Sequence, residues 1–263
     1  MVTSEFDAML AHDERHWWYR GRRQVLRSTL DRLQMPATAR LLDAGCGSGR
    51  TLDELRHYGS VSGVDVSPDA VHCAHARGHH DVHLARIEQL AFADETFDVV
   101  TCMDVIEHTP DDCRTLEELR RVTRPGGTIV LTVPAHPLLW STHDEVNLHY
   151  RRYTRRALTG LAQRAGMQLE SDTYFNSLLL TPAALVRWVQ RVRPPAVQRS
   201  DLERTPAVLN QLLELPLTVE ARLIARGARI PAGLSLLCVL RRPLADAGER
   251  AGSTDRLRTL VAA

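Results

Sequence analysis

Between residues 40 and 133, short apolar runs alternate with amphipathic stretches. Five runs read as strands: 40–44, 61–65, 81–85, 97–103 and 128–133. The fourth, Phe-Asp-Val-Val-Thr-Cys-Met, is strongly β-branched and apolar. Helical spacing fills the gaps at 48–57, 68–77 and 111–122, with Pro68 well placed to open its helix. Pro125-Gly126-Gly127 is expected to break the chain before the fifth strand. A further helix at 154–165 is closed by Gly166, and runs at 167–175 and 233–241 supply two more strands. The alternation predicts an α/β fold: a doubly wound, Rossmann-like, seven-stranded and mostly parallel sheet with helices on both faces.

The same pattern divides the chain. Residues 1–39 form an N-terminal helical arm or cap. Residues 40–175 and 233–242 form the sheet core, and 176–232 a Leu-rich helical insertion between the last two strands. Residues 243–263 are a polar tail expected to lack order. The insertion carries Leu178, Leu179, Leu185 and Val186 beside Arg187, then Leu209, Leu212, Leu213, Leu217 and Leu223 at near-helical spacing. Such helices can cap a pocket, form a homodimer face or lie against a membrane as a peripheral contact.

Composition narrows the function. The 263 residues carry 33 cationic and 32 acidic side chains, so no basic field argues for a nucleic-acid partner. All 33 cations are arginine, which a coding bias explains. Five cysteines without a C-x-x-C pair argue against disulfides or a zinc site and fit a reducing compartment. An acidic, polar N-terminus is not a signal peptide, and no apolar run is long enough to span a membrane. The expected location is therefore the cytoplasm.

The chemistry starts at Leu41-Leu42-Asp43-Ala44-Gly45-Cys46-Gly47-Ser48-Gly49, a strand entering a glycine-rich turn ahead of a helix. Such turns let backbone sit directly against a nucleotide. The spacing is G-x-G-x-G, with Arg50 where the dinucleotide pattern needs its last glycine, which points to an adenosine compound other than NAD. Val64-Asp65-Val66-Ser67-Pro68 follows, then the run from Phe97 through Asp104-Val105-Ile106-Glu107-His108, then Leu119 to Gly127.

In that order, the four motifs resemble class I S-adenosylmethionine-dependent methyltransferases, over residues 40–241. The resemblance implies S-adenosyl-L-methionine as cofactor. It implies cofactor contacts from Gly45, Cys46, Gly47 and Gly49 in the loop, from Asp65 to the ribose hydroxyls, and from the neighbouring Val66, Ile87, Met103 and His108. Asp43 either meets the cofactor's amino group or caps the loop's own amides, and Cys46 reads equally as a small loop filler. One position departs from the family. The acidic residue after strand three that accepts from adenine is here Arg86, which only donates. Ile87 backbone or Glu88 can replace it, or Arg86 can stack on the ring. In the arm, His16-Trp17-Trp18-Tyr19-Arg20-Gly21-Arg22-Arg23 resembles the segment that folds over the cofactor in related enzymes. Trp18 is a candidate for the sulfonium, and Arg23 or Arg20 for the methionine carboxylate.

Methyl transfer is an in-line displacement at sulfonium, and a hydroxyl acceptor must also lose a proton. Candidate bases are His143, His149 and His108, each with a plainer role as a loop-fixing residue. A pairing of His143 with Asp144 or Glu145 would orient its imidazole. No triad of metal-ligand spacing stands in the sequence, so no metal is expected. The expected activity is transfer to a small, bulky or partly apolar metabolite, as in natural-product biosynthesis, at oxygen. The alternatives are N- or C-methylation, and a cofactor-binding scaffold or non-methyltransferase enzyme. A nucleic-acid acceptor does not fit the neutral charge, nor Asp104-Val105-Ile106-Glu107 where an Asn/Asp-Pro-Pro-Tyr motif would stand.

Overall fold

The structure, a computed structural model, describes residues 13–14, 16–192 and 206–244. The expected tail beyond 244 and the middle of the insertion, 193–205, lie outside the described residues. Seven strands form one sheet: β1 (Arg40–Ala44), β2 (Ser60–Asp65), β3 (Val82–Leu84), β4 (Phe97–Met103), β5 (Thr123–Pro134), β6 (Gln168–Phe175) and β7 (Ser235–Arg241). Their order is β3-β2-β1-β4-β5-β7-β6, with only β7 antiparallel to its two neighbours. The order reverses between β1 and β4, whose paired residues include Leu42 with Val100 and Asp43 with Thr101. Ligands of such sheets bind at the carboxyl ends of the strands beside that reversal.

Helices cover both faces: α1 (Trp17–Leu30), α2 (Arg50–Leu55), α3 (Pro68–Ala76), α4 (Asp112–Val122), α5 (Thr142–Val146), α6 (Arg155–Arg164), α7 (Leu180–Val192) and α8 (Ala207–Ala225). Strand periodicity sorts the core. Leu42, Val100, Ile129 and Leu131 face Leu116, Leu119, Leu158 and Leu161. Leu41, Val99 and Val130 face Leu26, Leu30, Leu52 and Leu217. Caps follow the sequence: Asp111 accepts from Arg114 N at the start of α4, and Thr154 from Ala157 N at the start of α6.

One expectation is corrected. The Pro-Gly-Gly segment does not end before the fifth strand but lies inside β5, which starts at Thr123. Pairing with β4 slips between Phe97 and Val99, and Gly126 (φ +74°) takes up the irregularity while its N–H donates to Arg242 O. The insertion is two different things. Its second helix, α8, is docked along α1: Leu217, Ala221 and Ile224 are buried, and a Cβ on Gly21 would come 2.2 Å from Leu217 Cδ1. Gln24 and Arg20 of α1 both reach Glu214 of α8. Helix α7 instead borders the cleft at the strand ends. Among the described residues, no helix is long and apolar enough to cross a membrane.

Candidate active site

A cleft of about 1470 Å3 opens over the carboxyl ends of β1, β2 and β4. Single-ligand pockets hold roughly 300–1,000 Å3, so this one has room for two reactants side by side. Its floor is the glycine loop. Gly45, Gly47 and Gly49 all have positive φ (+85°, +52° and +84°), the region where a Cβ is costly. Gly45 N–H and Cys46 N–H both donate to Val64 O, which fastens the loop to the end of β2.

Asp65 ends β2 with its carboxylate held by Gly47 N–H (2.8 Å) and Ser67 N–H (2.9 Å). Burial pushes its pKa up, against those two amides. Asp65, Val66, Cys46, Arg86, Ile87 and Met103 all line the cleft. Arg86 is two-thirds exposed and pairs with Glu88 at 2.9 Å, so the guanidinium that departs from the family pattern is tied to the carboxylate two residues on. The Cys46 thiol is buried and its pKa is pushed far up by burial, the behaviour of a packed filler rather than a nucleophile.

Four expected cofactor residues stand elsewhere. Asp43 is buried beneath the loop, away from the wall, where Thr101 Oγ1 donates to it at 2.6 Å and burial lifts its pKa to about 6. It neither caps the loop amides nor faces the cleft. Gly49 caps α2, packed against Ala74 and His79. Arg23 turns to Asp13, donating to its carbonyl and carboxylate, while Ser48 Oγ also donates to Asp13. Arg20 pairs with Glu214.

The arm reaches the cleft with other residues. Trp18, stacked on Phe175 with centroids 5.7 Å apart, lines it together with Tyr19 and Arg22. Arg22 donates to Asp104 Oδ2 (2.9 Å) and Met103 O (3.1 Å), tying α1 to the exit of β4. Asp104 holds φ +58°, strained for a residue with a Cβ. The signal for Arg22 was in the sequence: it stands four residues after Trp18, on the same helical face, whereas Arg23 is rotated off it.

Beyond the glycine-loop floor, three histidines meet. His108, on the single turn Ile106–His108, crosses the ring of His149 at 4.6 Å and 83°, and His143 crosses His149 at 6.1 Å and 89°. All three line the cleft. Burial, then His149, lowers the His108 pKa to about 4, so its ring is neutral at physiological pH. The expected His143–Asp144 pairing is not what forms. Fully buried Asp144 accepts from His149 Nδ1 (3.0 Å), Arg152 Nε (2.7 Å) and Ser141 N–H (2.9 Å), while Asn147 Nδ2 lies against the His143 ring. Burial alone would raise the Asp144 pKa, but the hydrogen bonds from His149 and Arg152 hold it well below the carboxylate range. Adjacency in a helix explains the change, since successive side chains point about 100° apart and cannot pair.

Glu107 also lies here, buried at 1% exposure. Neither of its side-chain oxygens has a hydrogen-bond partner among the described residues, and burial followed by Asp104 drives its pKa well above the carboxylate range. Ligand atoms of Glu107, His108 and His149 fall within 4.8 Å of one another. The third of these side chains comes from a loop 41 residues after His108. Leu179, Pro182, Ala183, Val186 and Arg187 of the insertion line the same cleft.

A family model for a methyltransferase domain matches residues 42–131, from β1 to the middle of β5. With the sheet order and the glycine loop, this match marks a class I S-adenosylmethionine-dependent methyltransferase domain within the chain, with S-adenosylmethionine as its cofactor. Among relatives, the ubiquinone biosynthesis O-methyltransferase of Paracidovorax citrulli (strain AAC00-1) is 27% identical over 197 residues, 72% of this chain and 77% of its own length. That of Xanthomonas oryzae pv. oryzae (strain PXO99A) is 34% identical over 145 residues, 49% of this chain and 60% of its own length. The chain thus spans about three fifths of that second relative. Among solved structures, a chain of the complex between the Haloferax volcanii Trm112 methyltransferase activator and a methyltransferase superposes with a TM-score of 0.60 at 21% identity, covering 92% of this chain and 95% of that one. At that identity the likeness is one of fold.

Proposed function

We propose that this methyltransferase methylates a hydroxyl oxygen of a small molecule with a bulky, partly apolar body. The supporting observation is the lining of the cleft: three histidines together with the apolar side chains of Leu179, Pro182, Ala183 and Val186. Imidazole serves a hydroxyl acceptor, which must shed a proton that an amine need not, and the apolar lining serves a greasy body. Two relatives named as O-methyltransferases of ubiquinone biosynthesis favour the same acceptor chemistry.

In the reaction the acceptor oxygen attacks the sulfonium methyl, the C–S bond breaks as the C–O bond forms, and the sulfur leaves as a neutral thioether. The hydroxyl proton passes to His143. Its ring lines the cleft beside Asn147 and across from His149. Trp18 and Tyr19 close the cofactor side, and Arg22, bound to Asp104 and Met103 O, fixes the arm to the end of β4.

The test uses an ortho-dihydroxybenzene carrying a prenyl chain as probe, with deuterated-methyl S-adenosylmethionine, and locates the transferred group by NMR. An aryl methyl ether is expected. A His143→Ala variant should lose about 10²–10⁴-fold in kcat with little change in KM, the usual worth of a positioned base, and recover part of the rate as pH rises. Methyl found on carbon or nitrogen, or an unchanged rate in the variant, sinks the reading.

A further inference from the structure

We infer that Glu107, His108 and His149 form a binding site for one divalent transition-metal ion, of the zinc or manganese type, at the junction of the cofactor floor and the acceptor chamber. The first observation is the donor set. Two imidazoles and one carboxylate hold catalytic zinc and other first-row ions while leaving positions open for substrate. Here their ligand atoms lie within 4.8 Å of one another. Bonds of about 2.1 Å would place the donors roughly 3–3.4 Å apart.

The second observation is independent of the first. Glu107 is 1% exposed, and neither carboxylate oxygen has a partner among the described residues. Nearby cations are already engaged: Arg22 is bound to Asp104 and Met103 O, and Arg152 to Asp144 and Ala135 O. A buried carboxylate left so is among the costliest arrangements a fold can hold, and a bound cation removes that cost.

The third is the shell behind the ligands. Asp144 accepts from His149 Nδ1, fixing the tautomer in which Nε2 is the free donor atom, and Asp144 is itself fixed by Arg152 and Ser141 N–H. A carboxylate behind a metal-bound imidazole is the usual outer shell of such sites, and its loss costs 10–100-fold in affinity. Asp104, three residues before Glu107, is committed to Arg22 and is not a ligand.

An ion here would polarise an acceptor hydroxyl next to the methyl donor and lower its pKa. That role rests on the O-methylation reading; binding of the ion does not. The experiment therefore measures binding alone. Full-length protein is stripped with EDTA and titrated calorimetrically with ZnCl2, MnCl2 and MgCl2, in the presence of S-adenosylhomocysteine. One equivalent of Zn2+ or Mn2+ per chain is expected, bound at least tenfold more tightly than Mg2+. Glu107→Gln, which removes only the buried charge and should fold at least as well, is expected to weaken binding 10-fold or more. Asp144→Asn is expected to weaken it within the 10–100-fold range, and His83→Ala, an exposed histidine outside the cleft, to leave it unchanged. Overturning results are no stoichiometric binding of Zn2+ or Mn2+, or binding that Glu107→Gln leaves intact. Either would mean that the Glu107 carboxyl is kept neutral by a proton alone. A site that binds zinc in a protein that methylates nitrogen would refute the acceptor reading and leave the metal site standing.

Discussion

Gly45→Ala tests why the cofactor floor has its shape. The position has φ +85°, and an added Cβ would stand 2.5 Å from Val105 Cγ2 and 2.9 Å from Cγ1. Two costs can be separated. Forcing an L-residue into the left-handed region costs about 1–2 kcal/mol, and overpacking against a fixed side chain about 1–3 kcal/mol. The variant should therefore lose roughly 2–5 kcal/mol, a large share of the ~5–15 kcal/mol that stabilises a folded domain. Val105→Ala removes both close contacts and nothing of the φ strain. In a double-mutant cycle it should return about 1–3 kcal/mol to Gly45→Ala and leave the rest. Urea unfolding by linear extrapolation reads the stabilities, and calorimetry with S-adenosylhomocysteine reads the floor itself, where affinity should fall in both Gly45 variants. Gly160→Ala is the control, since its Cβ would meet only Arg164 Nη1 at 3.7 Å within a helix. It should gain about 0.5–1 kcal/mol. The reasoning fails if Gly45→Ala loses less than Gly160→Ala gains, or if Val105→Ala restores the whole loss.

Two further outcomes follow from particular residues. Asp43 has its pKa raised by burial from 3.8 to about 6; the unfolded chain then releases this proton first, so its contribution to stability falls as pH rises from about 4 to 6 and stays lost above. Asp43→Asn, unfolded in urea from pH 4 to 7.5, should match the parent at pH 4 and exceed it by up to about 3 kcal/mol at neutrality; a flat difference would contradict the burial argument. Leu179→Arg, in the lining of the cleft, should raise the KM of the prenylated probe tenfold or more and leave cofactor affinity within twofold; the reverse would move α7 from acceptor to cofactor.

Much of the fold was readable because strand and helix periods are local. The strand at Phe97–Met103 was read to the residue, and the helix at Asp112–Val122 to within one. The Pro-Gly-Gly segment was misread because its standing as a break or a bulge depends on what lies alongside: Arg242, more than a hundred residues on, supplies the partner that keeps it in β5. The role of the insertion helices stayed open because sequence spacing shows that a face is apolar and not what covers it. Leu217, Ala221 and Ile224 found α1, and Leu179 and Val186 the cleft.

The site divides in the same way. The chain by itself determined the floor of the cleft, because the glycine turn, Asp65 and the exit of β4 are each set by strand-end chemistry within a few residues. Only the tertiary structure decided the far half of the cleft. Asp144 pairs with His149 rather than with its neighbour His143 because a helix splays adjacent side chains. Arg22 reaches the cleft through its helical phase with Trp18, and Glu107 meets His149 because the sheet brings two loops to one edge. Contacts between groups close in sequence follow from covalent geometry, whereas those between distant groups exist only once the core has packed.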